Sequence, residues 1–365
     1  MSKTTQGSTP EAMSSSGKTR RSLLTASAAT GLGLSLAAAP VFAQQKAQYR
    51  LRMQSFLGPG WSEWDELIPR YAARVKEMTD GRVEITAYPP GALVPTFEML
   101  DAVGRRIIDI GFGAQLYWRG RFPFAQWSWG VPFALNGVDE YEYLWWEAGM
   151  LEFVRERFAK AGVHLIAPIY SDEWGSTIST KPIRRLTDFQ GLKIRSGGVG
   201  GELWKEFGAS IVTLPGEELY TGLATGVLDG ANWGSPYGNI ATKLQEVAKF
   251  YTGPSILTSD AEDLFINKAN YDKMPRDVQM ALEVSARSFA LERYAYSKGK
   301  SAEAFGQLRD AGVEIIVLPP EDIQTMKDKI AELVPKMAGD DADSQAALDM
   351  IYKVRDLFAQ RPAGF

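Results

Sequence analysis

Apolar and polar positions alternate along Tyr49–Ser55, the signature of a half-buried strand. After Gly58-Pro59-Gly60 the spacing turns helical. Ile68, Tyr71, Ala72 and Val75 then share one face of a helix predicted from Trp61 to Thr79. Alternation returns at Arg82–Tyr88, a helix follows from Thr96 to about Arg105, and Ile107–Phe112 reads as a third strand. This β-α-β-α-β order is the unit of a doubly wound sheet with parallel strands. One helix is predicted from Asp139 to Lys160, then a strand over Gly162–Tyr170 that carries the single histidine, His164.

The second half repeats the pattern. Leu192–Ser196 is a strand that ends in Arg195. A glycine-rich turn (Gly197, Gly198, Gly200, Gly201) opens a helix bearing Leu203, Trp204 and Phe207. Ser210–Leu214 is a strand, and Glu217–Gly226 a helix with Leu219, Leu223 and Val227 on one face. Leu228–Trp233 then leads to a helix predicted over Thr242–Phe250 and a strand over Asp263–Asn267. From Pro275 to Ala311 the pattern is helical without an internal proline, enough for ~50 Å at ~1.5 Å per residue. Val313–Leu318 is a strand closed by Pro319-Pro320, and helices over about Glu321–Met337 and Ala342–Gln360 complete an α/β chain.

The beginning follows another logic. Residues 1–21 are polar, Arg20-Arg21 precede an Ala- and Leu-rich run to Ala39, and Val41-Phe42-Ala43 suits cleavage after Ala43. This is the layout of a twin-arginine type export signal, and the run is too weakly apolar to favour a membrane anchor. Losing Lys3, Lys18, Arg20, Arg21 and Glu11 moves the formal charge from −4 to −7. A mildly acidic surface argues against nucleic acid or an anionic membrane as partner. The chain has no cysteine, so an exported form has to be stabilised by burial alone.

Candidate chemistry is sparse. One histidine and no cysteine give Ser-His-Asp, Cys-His and histidine-rich zinc sites little support, and neither a P-loop nor GxGxxG occurs. Asp172, Glu173, Asp260 and Glu262 are acids near strand ends. An exported hydrolase would need two of them facing across a cleft, and no spacing favours a pair. Arg195 also sits at a strand end, where α/β sheets bind ligands, and its planar fork matches a carboxylate. The aromatic-dense run Gln115–Phe124 and Gln126–Trp129 follows a strand and suits a cleft wall.

G-L-K-I-R at 191–195, followed by L-Y-T-G-L-A-T-G-V-L-D-G at 219–230, resembles the solute-binding subunits of TRAP transporters of the DctP type. The resemblance runs from the first strand to Phe265-Ile266-Asn267-Lys268 and the long helix after it. It implies a two-lobed periplasmic solute-binding fold with a cleft between the lobes and a long helix supporting both. One lobe would comprise 46–165 with about 251–290, the other 166–250 with about 300–320. Helix 275–311 would cross them, and 321–365 would form C-terminal helices.

In that family the arginine at 195 binds the ligand carboxylate, and the pattern points to Tyr117 and Trp118 as pocket residues. The branch that this chain resembles most takes 2-oxo acids, often with a metal held by a glutamine and a glutamate. Here those positions are Trp174 and Asn232, followed by the family's tryptophan, Trp233. A hard cation needs several oxygens, so no metal is expected. Calcium or sodium, if bound, would meet Asn232 and Trp233, and Glu173 is the one nearby acid that could compensate. The expected ligand is an organic carboxylate, a 2-oxo or 2-hydroxy acid with an aromatic or otherwise apolar body. Arg195 would anchor it, Asn232 would bond its α-substituent, and Trp174, Trp233, Tyr117 and Trp129 would wall it. The expected partners are the membrane subunits of a TRAP permease, with the receptor a monomer or homodimer. A receptor for a neutral solute such as a sugar, with Arg195 structural, is the remaining alternative.

Overall fold

The computed structural model describes residues 47–362, and the export signal expected over 1–43 lies outside them. The strands are β1 (Tyr49–Ser55), β2 (Val83–Tyr88), β3 (Ile110–Ala114), β4 (Val163–Tyr170), β5 (Thr177–Ser179), β6 (Lys193–Arg195), β7 (Ser210–Val212), β8 (Gly230–Asn232), β9 (Phe250–Gly253), β10 (Ala261–Asn267) and β11 (Glu314–Val317). They form two sheets, ordered β2-β1-β3-β10-β4 and β11-β9-β5-β8-β6-β7, each flanked by helices in a two-lobed α/β architecture.

The sheets are mixed, which the purely parallel expectation misses. β1 runs parallel to β2 and β3, but β10 lies antiparallel between β3 and β4. β5 is likewise antiparallel to β8 and β9. Both reversed strands are the first laid down after the chain has passed from one sheet to the other. Without a crossover helix, nothing constrains such a strand to run parallel. The two passing segments, between β4 and β5 and between β9 and β10, also pair with each other. Trp174 and Leu257 exchange two backbone hydrogen bonds of 3.0 Å, and the Ser171 N–H donates to the Asp260 carbonyl at 3.2 Å.

Three predicted elements change. The single helix expected over Asp139–Lys160 is two, Val138–Trp146 and Met150–Ala159, because Gly149 between them adopts φ +96°, outside the helical region. The helix expected over Thr242–Phe250 is two short helices, Pro236–Ala241 and Leu244–Val247, and Phe250 already starts β9. Val227, placed on an apolar helix face by its spacing, lies beyond the helix end at Ala224 and is exposed.

Helix Arg276–Asp310 has 35 residues and, at ~1.5 Å each, a length of ~50 Å. It packs on β4 and helix Ile68–Met78 of the first sheet's lobe, and on helix Pro236–Ala241 and β11 of the second. Its buried stripe includes Ser285, Phe289, Ala290, Arg293, Ser297 and Ser301, so one cation and three hydroxyls occupy core-facing positions. Among the described residues no helix is long and apolar enough to cross a membrane.

His164 lies on β4, an edge strand, stacked on Tyr271 with ring centroids 3.9 Å apart. Burial, then the positive charges of Arg155 and Lys268, pull its pKa down to about 3. The unfolded chain takes up this proton near pH 6.5 and the folded one does not. This residue's contribution to stability is therefore lost as the pH falls from 6.5 towards 3. With one histidine in the chain, its imidazole resonance is unambiguous by NMR. It should not titrate between about pH 8 and 5, and a midpoint near the ordinary value would overturn this reading.

Candidate functional site

Arg195 ends β6 between β7 and β8, at the carboxyl edge of the second sheet. It is 5 % exposed. Its Nε donates to the Leu214 carbonyl at 2.9 Å and its Nη1 to the Asn232 carbonyl at 3.4 Å. The guanidinium stands 4.7 Å from the ring centroid of Trp233, an attractive cation–π geometry. Burial pulls its pKa below the ordinary value, and the adjacent Tyr117 phenol works against that shift. Among the described residues no carboxylate comes within ion-pair distance of it. A buried cation held only by carbonyls and a ring face lacks the negative partner that such a charge requires.

Arg195 faces a cavity of about 50 Å³ between the sheets. Its aromatic wall is assembled from several places in the sequence. Tyr117 follows β3, with its hydroxyl beside Arg195. Trp233 follows β8 and lies flush against Gly216, where a Cβ would stand 2.6 Å from the indole. Trp174 and Trp129 meet edge to face at 4.8 Å. Glu173 is half-buried at the cavity, and its Oε2 accepts from Lys298 Nζ on the long helix at 3.3 Å. The structure thus brings Arg195, Tyr117, Trp129, Glu173, Trp174 and Trp233 together around one space.

Two expected site residues are placed elsewhere. Trp118 does not line the cavity: its indole packs on Phe265, and its Nε1 donates to the buried Asp263 at 3.0 Å. Tyr117 and Trp118 are adjacent in a tight turn, so only one of them can face the ligand space. Asn232 is fully buried and also outside the cavity lining. Its Nδ2 donates to the Gly175 carbonyl at 2.5 Å, and its Oδ1 accepts from Ser196 at 3.3 Å. An amide committed in this way joins β8 to the passing segment after β4, and has no free group for an α-substituent. With an indole at 174 and a committed amide at 232, these two positions do not fit a hard cation.

The cavity also has a polar side, of which the sequence reading singled out Asp172, Asp260 and Glu262 as acids near strand ends but missed Glu63 and Arg293. Asp172, Asp260, Glu262, Glu63 and Arg293 all line it and are all buried. Asp172 accepts from Ser301, and burial first, then Glu173, push its pKa up to about 7. Asp260 is raised to about 6 by burial. Glu262 is raised further by burial and by Asp260 beside it. The hydrolase reading requires facing carboxylates without an arginine. Asp260 and Glu262 do converge, but Arg195 and Arg293 share their cavity. For Arg293 a signal was available, since a charge on a helix's buried stripe needs a buried partner.

Comparison with known proteins agrees with this geometry. Residues 62–341 match the family described as bacterial extracellular solute-binding protein, family 7 (DctP). A monocarboxylate 2-oxoacid-binding periplasmic protein of Nostoc is 28 % identical over 279 residues, covering 74 % of each chain. A TRAP transporter solute-binding protein of Bordetella bronchiseptica, solved with calcium and picolinate, superposes with a TM-score of 0.81 at 22 % identity, over 86 % of this chain and 94 % of the other. One of Pseudoalteromonas atlantica, with sodium and pyruvate, gives 0.79 at 24 % identity, over 85 % and 95 %. Family, relatives and fold converge on solute receptors. The chain belongs to family 7 of the bacterial extracellular solute-binding proteins, the DctP-type receptors of TRAP transporters.

Proposed function

We propose that this receptor works outside the cytoplasmic membrane, captures a compact organic carboxylate on Arg195 and delivers it to the membrane subunits of a TRAP permease. The observation that carries the ligand class is the buried Arg195, which has no carboxylate partner among the described residues. A ligand carboxylate supplies the missing charge in bidentate form, inside a site from which aromatic walls exclude water. The Nostoc relative, named for 2-oxo acids, and the pyruvate bound in the Pseudoalteromonas structure support the same chemistry. The export signal read in the first 43 residues and the relative's periplasmic designation support the compartment. Nothing in this role calls for catalysis.

Size narrows the ligand. A cavity that admits a benzene ring is about 150 Å³, and this one encloses about 50 Å³. A small acid fits the sheets as they stand, whereas the aromatic body expected from the indoles would require them to part. We also propose that the acid binds without a metal, because Trp174 and Asn232 stand at the two metal-ligand positions of the related branch.

Two experiments test this reading. Arg195→Ala should abolish the thermal stabilisation that a bound acid gives. Losing one partner of a buried charge pair costs about 2–5 kcal/mol, a rise in Kd of at least ~30-fold. The ligand-free variant should melt no lower than the parent, since an unpaired buried charge has been removed. Retained acid binding in a folded Arg195→Ala protein, or stabilisation by neutral sugars alone, would reject the role given to Arg195. Separately, the melting shift produced by pyruvate or lactate should be the same with chelator as with added calcium. A shift that appears only with calcium would show that a cation does bind beside Trp174.

A further inference from the structure

The polar side of the cavity is built in a way that structural roles leave unexplained. Arg293 projects from the buried stripe of the long helix, 4 % exposed. Its Nε and Nη1 have no hydrogen-bond partner among the described residues. The nearest acid recorded for it is Glu63, with Nε 3.9 Å from Oε1, which is too long for a hydrogen bond. Asp260 and Glu262 flank the start of β10 two residues apart, so both point to the same side of the strand. Asp263, pointing the other way, is satisfied by Gln115 and Trp118. Oδ1 of Asp260 and Oε2 of Glu262 receive no hydrogen bond from another residue among the described ones, and the two carboxyls hydrogen-bond each other when one of them carries a proton.

Buried polar atoms without partners are rare, and here both donors and acceptors of this kind border the ligand space. The ring of Tyr117 links this group to the carboxylate anchor: its hydroxyl lies beside Arg195 and within electrostatic reach of Glu262. The space between the two poles is small, so a group that reaches the acidic side has to sit close to the ligand carboxylate.

We propose that Arg293, Asp260 and Glu262 form a second pole of the site, which receives a hydroxyl carried next to the ligand carboxylate, so that the receptor prefers a 2-hydroxy acid to its 2-oxo counterpart. The inference rests on the compact-carboxylate reading of Arg195 and deepens it. A hydroxyl accepts from Arg293 and donates to a carboxylate in the same contact. A keto oxygen can only accept, so it would use Arg293 and leave the acceptor of Asp260 unmet, whereas a hydroxyl serves both. An ammonium group would satisfy the acids but would meet Arg293 with like charge.

The test is a calorimetric titration of the ligand-stripped protein with lactate, pyruvate and propionate, which share a three-carbon carboxylate and differ only at the second carbon. Lactate should bind at least about tenfold more tightly than either of the others, the ratio expected for one hydrogen bond to a charged group. In Glu262→Gln, with folding verified by circular dichroism, the lactate-to-propionate ratio should collapse towards unity, whichever way the absolute affinities move. Asp260→Asn provides the same readout if the first variant does not fold. Pyruvate or propionate binding as tightly as lactate, or an unchanged ratio in the folded variant, would overturn the second pole while leaving Arg195 as anchor. Failure of all three acids to bind would instead overturn the compact-carboxylate reading and this inference with it.

Discussion

A guanidinium buried without an opposing charge is the constraint around which this receptor is organised. Water is removed from Arg195, and what replaces it locally is two backbone carbonyls, the face of Trp233 and the hydroxyl of Tyr117. None of these neutralises it. The surroundings serve to keep it in that state. Asn232 turns its side chain away to tie down Gly175, and so fixes the carbonyl that receives Arg195 Nη1. Gly216 leaves room for the indole beneath the charge. Low dielectric strengthens whatever negative group finally arrives.

The acids on the other side of the cavity respond to the same loss of water in the opposite way. Burial raises the pKa of Asp172, Asp260 and Glu262, so they oppose Arg195 with less charge than solvated carboxylates would carry. A site rich in titratable groups can thus stay near neutral and still present many directional contacts. Such a composition suits recognition. Catalysis by a carboxylate pair would instead need two acids with separated roles and no competing cation between them.

Long elements were legible in the sequence and short ones were not. Tyr49–Ser55 shows seven positions of alternation and is found as read, and the long helix shifts by a residue at each end. Thr177–Ser179, Gly230–Asn232 and Phe250–Gly253 are three or four residues long, too short to display a period, yet they build the second sheet. Arg195 could be singled out because a cation at a strand end is conspicuous, and the structure places it at the cavity. Asn232 was misread because position along the chain says nothing about which way a side chain turns. Trp118 shows the same limit, since two adjacent aromatics in a turn cannot both face the ligand. Arg293 stood out only as a charge on the buried stripe of its helix, and its meaning depends on acids contributed by three distant segments.

The paired passing segments have a mechanical consequence. Trp174 and Leu257 join the two connections into a narrow ribbon, held by backbone hydrogen bonds along one edge of the cavity. A two-stranded ribbon bends readily across its face and resists shear along its length, because shear would break the hydrogen bonds and bending does not. The long helix, packed on both lobes, is the third tie between them. Asp172 and Trp174 lie on one of these segments and Asp260 borders the other, so part of the cavity wall belongs to the joint itself. Whatever occupies the site bears directly on the angle between the lobes, and that angle is the property a membrane partner could sense without touching the solute.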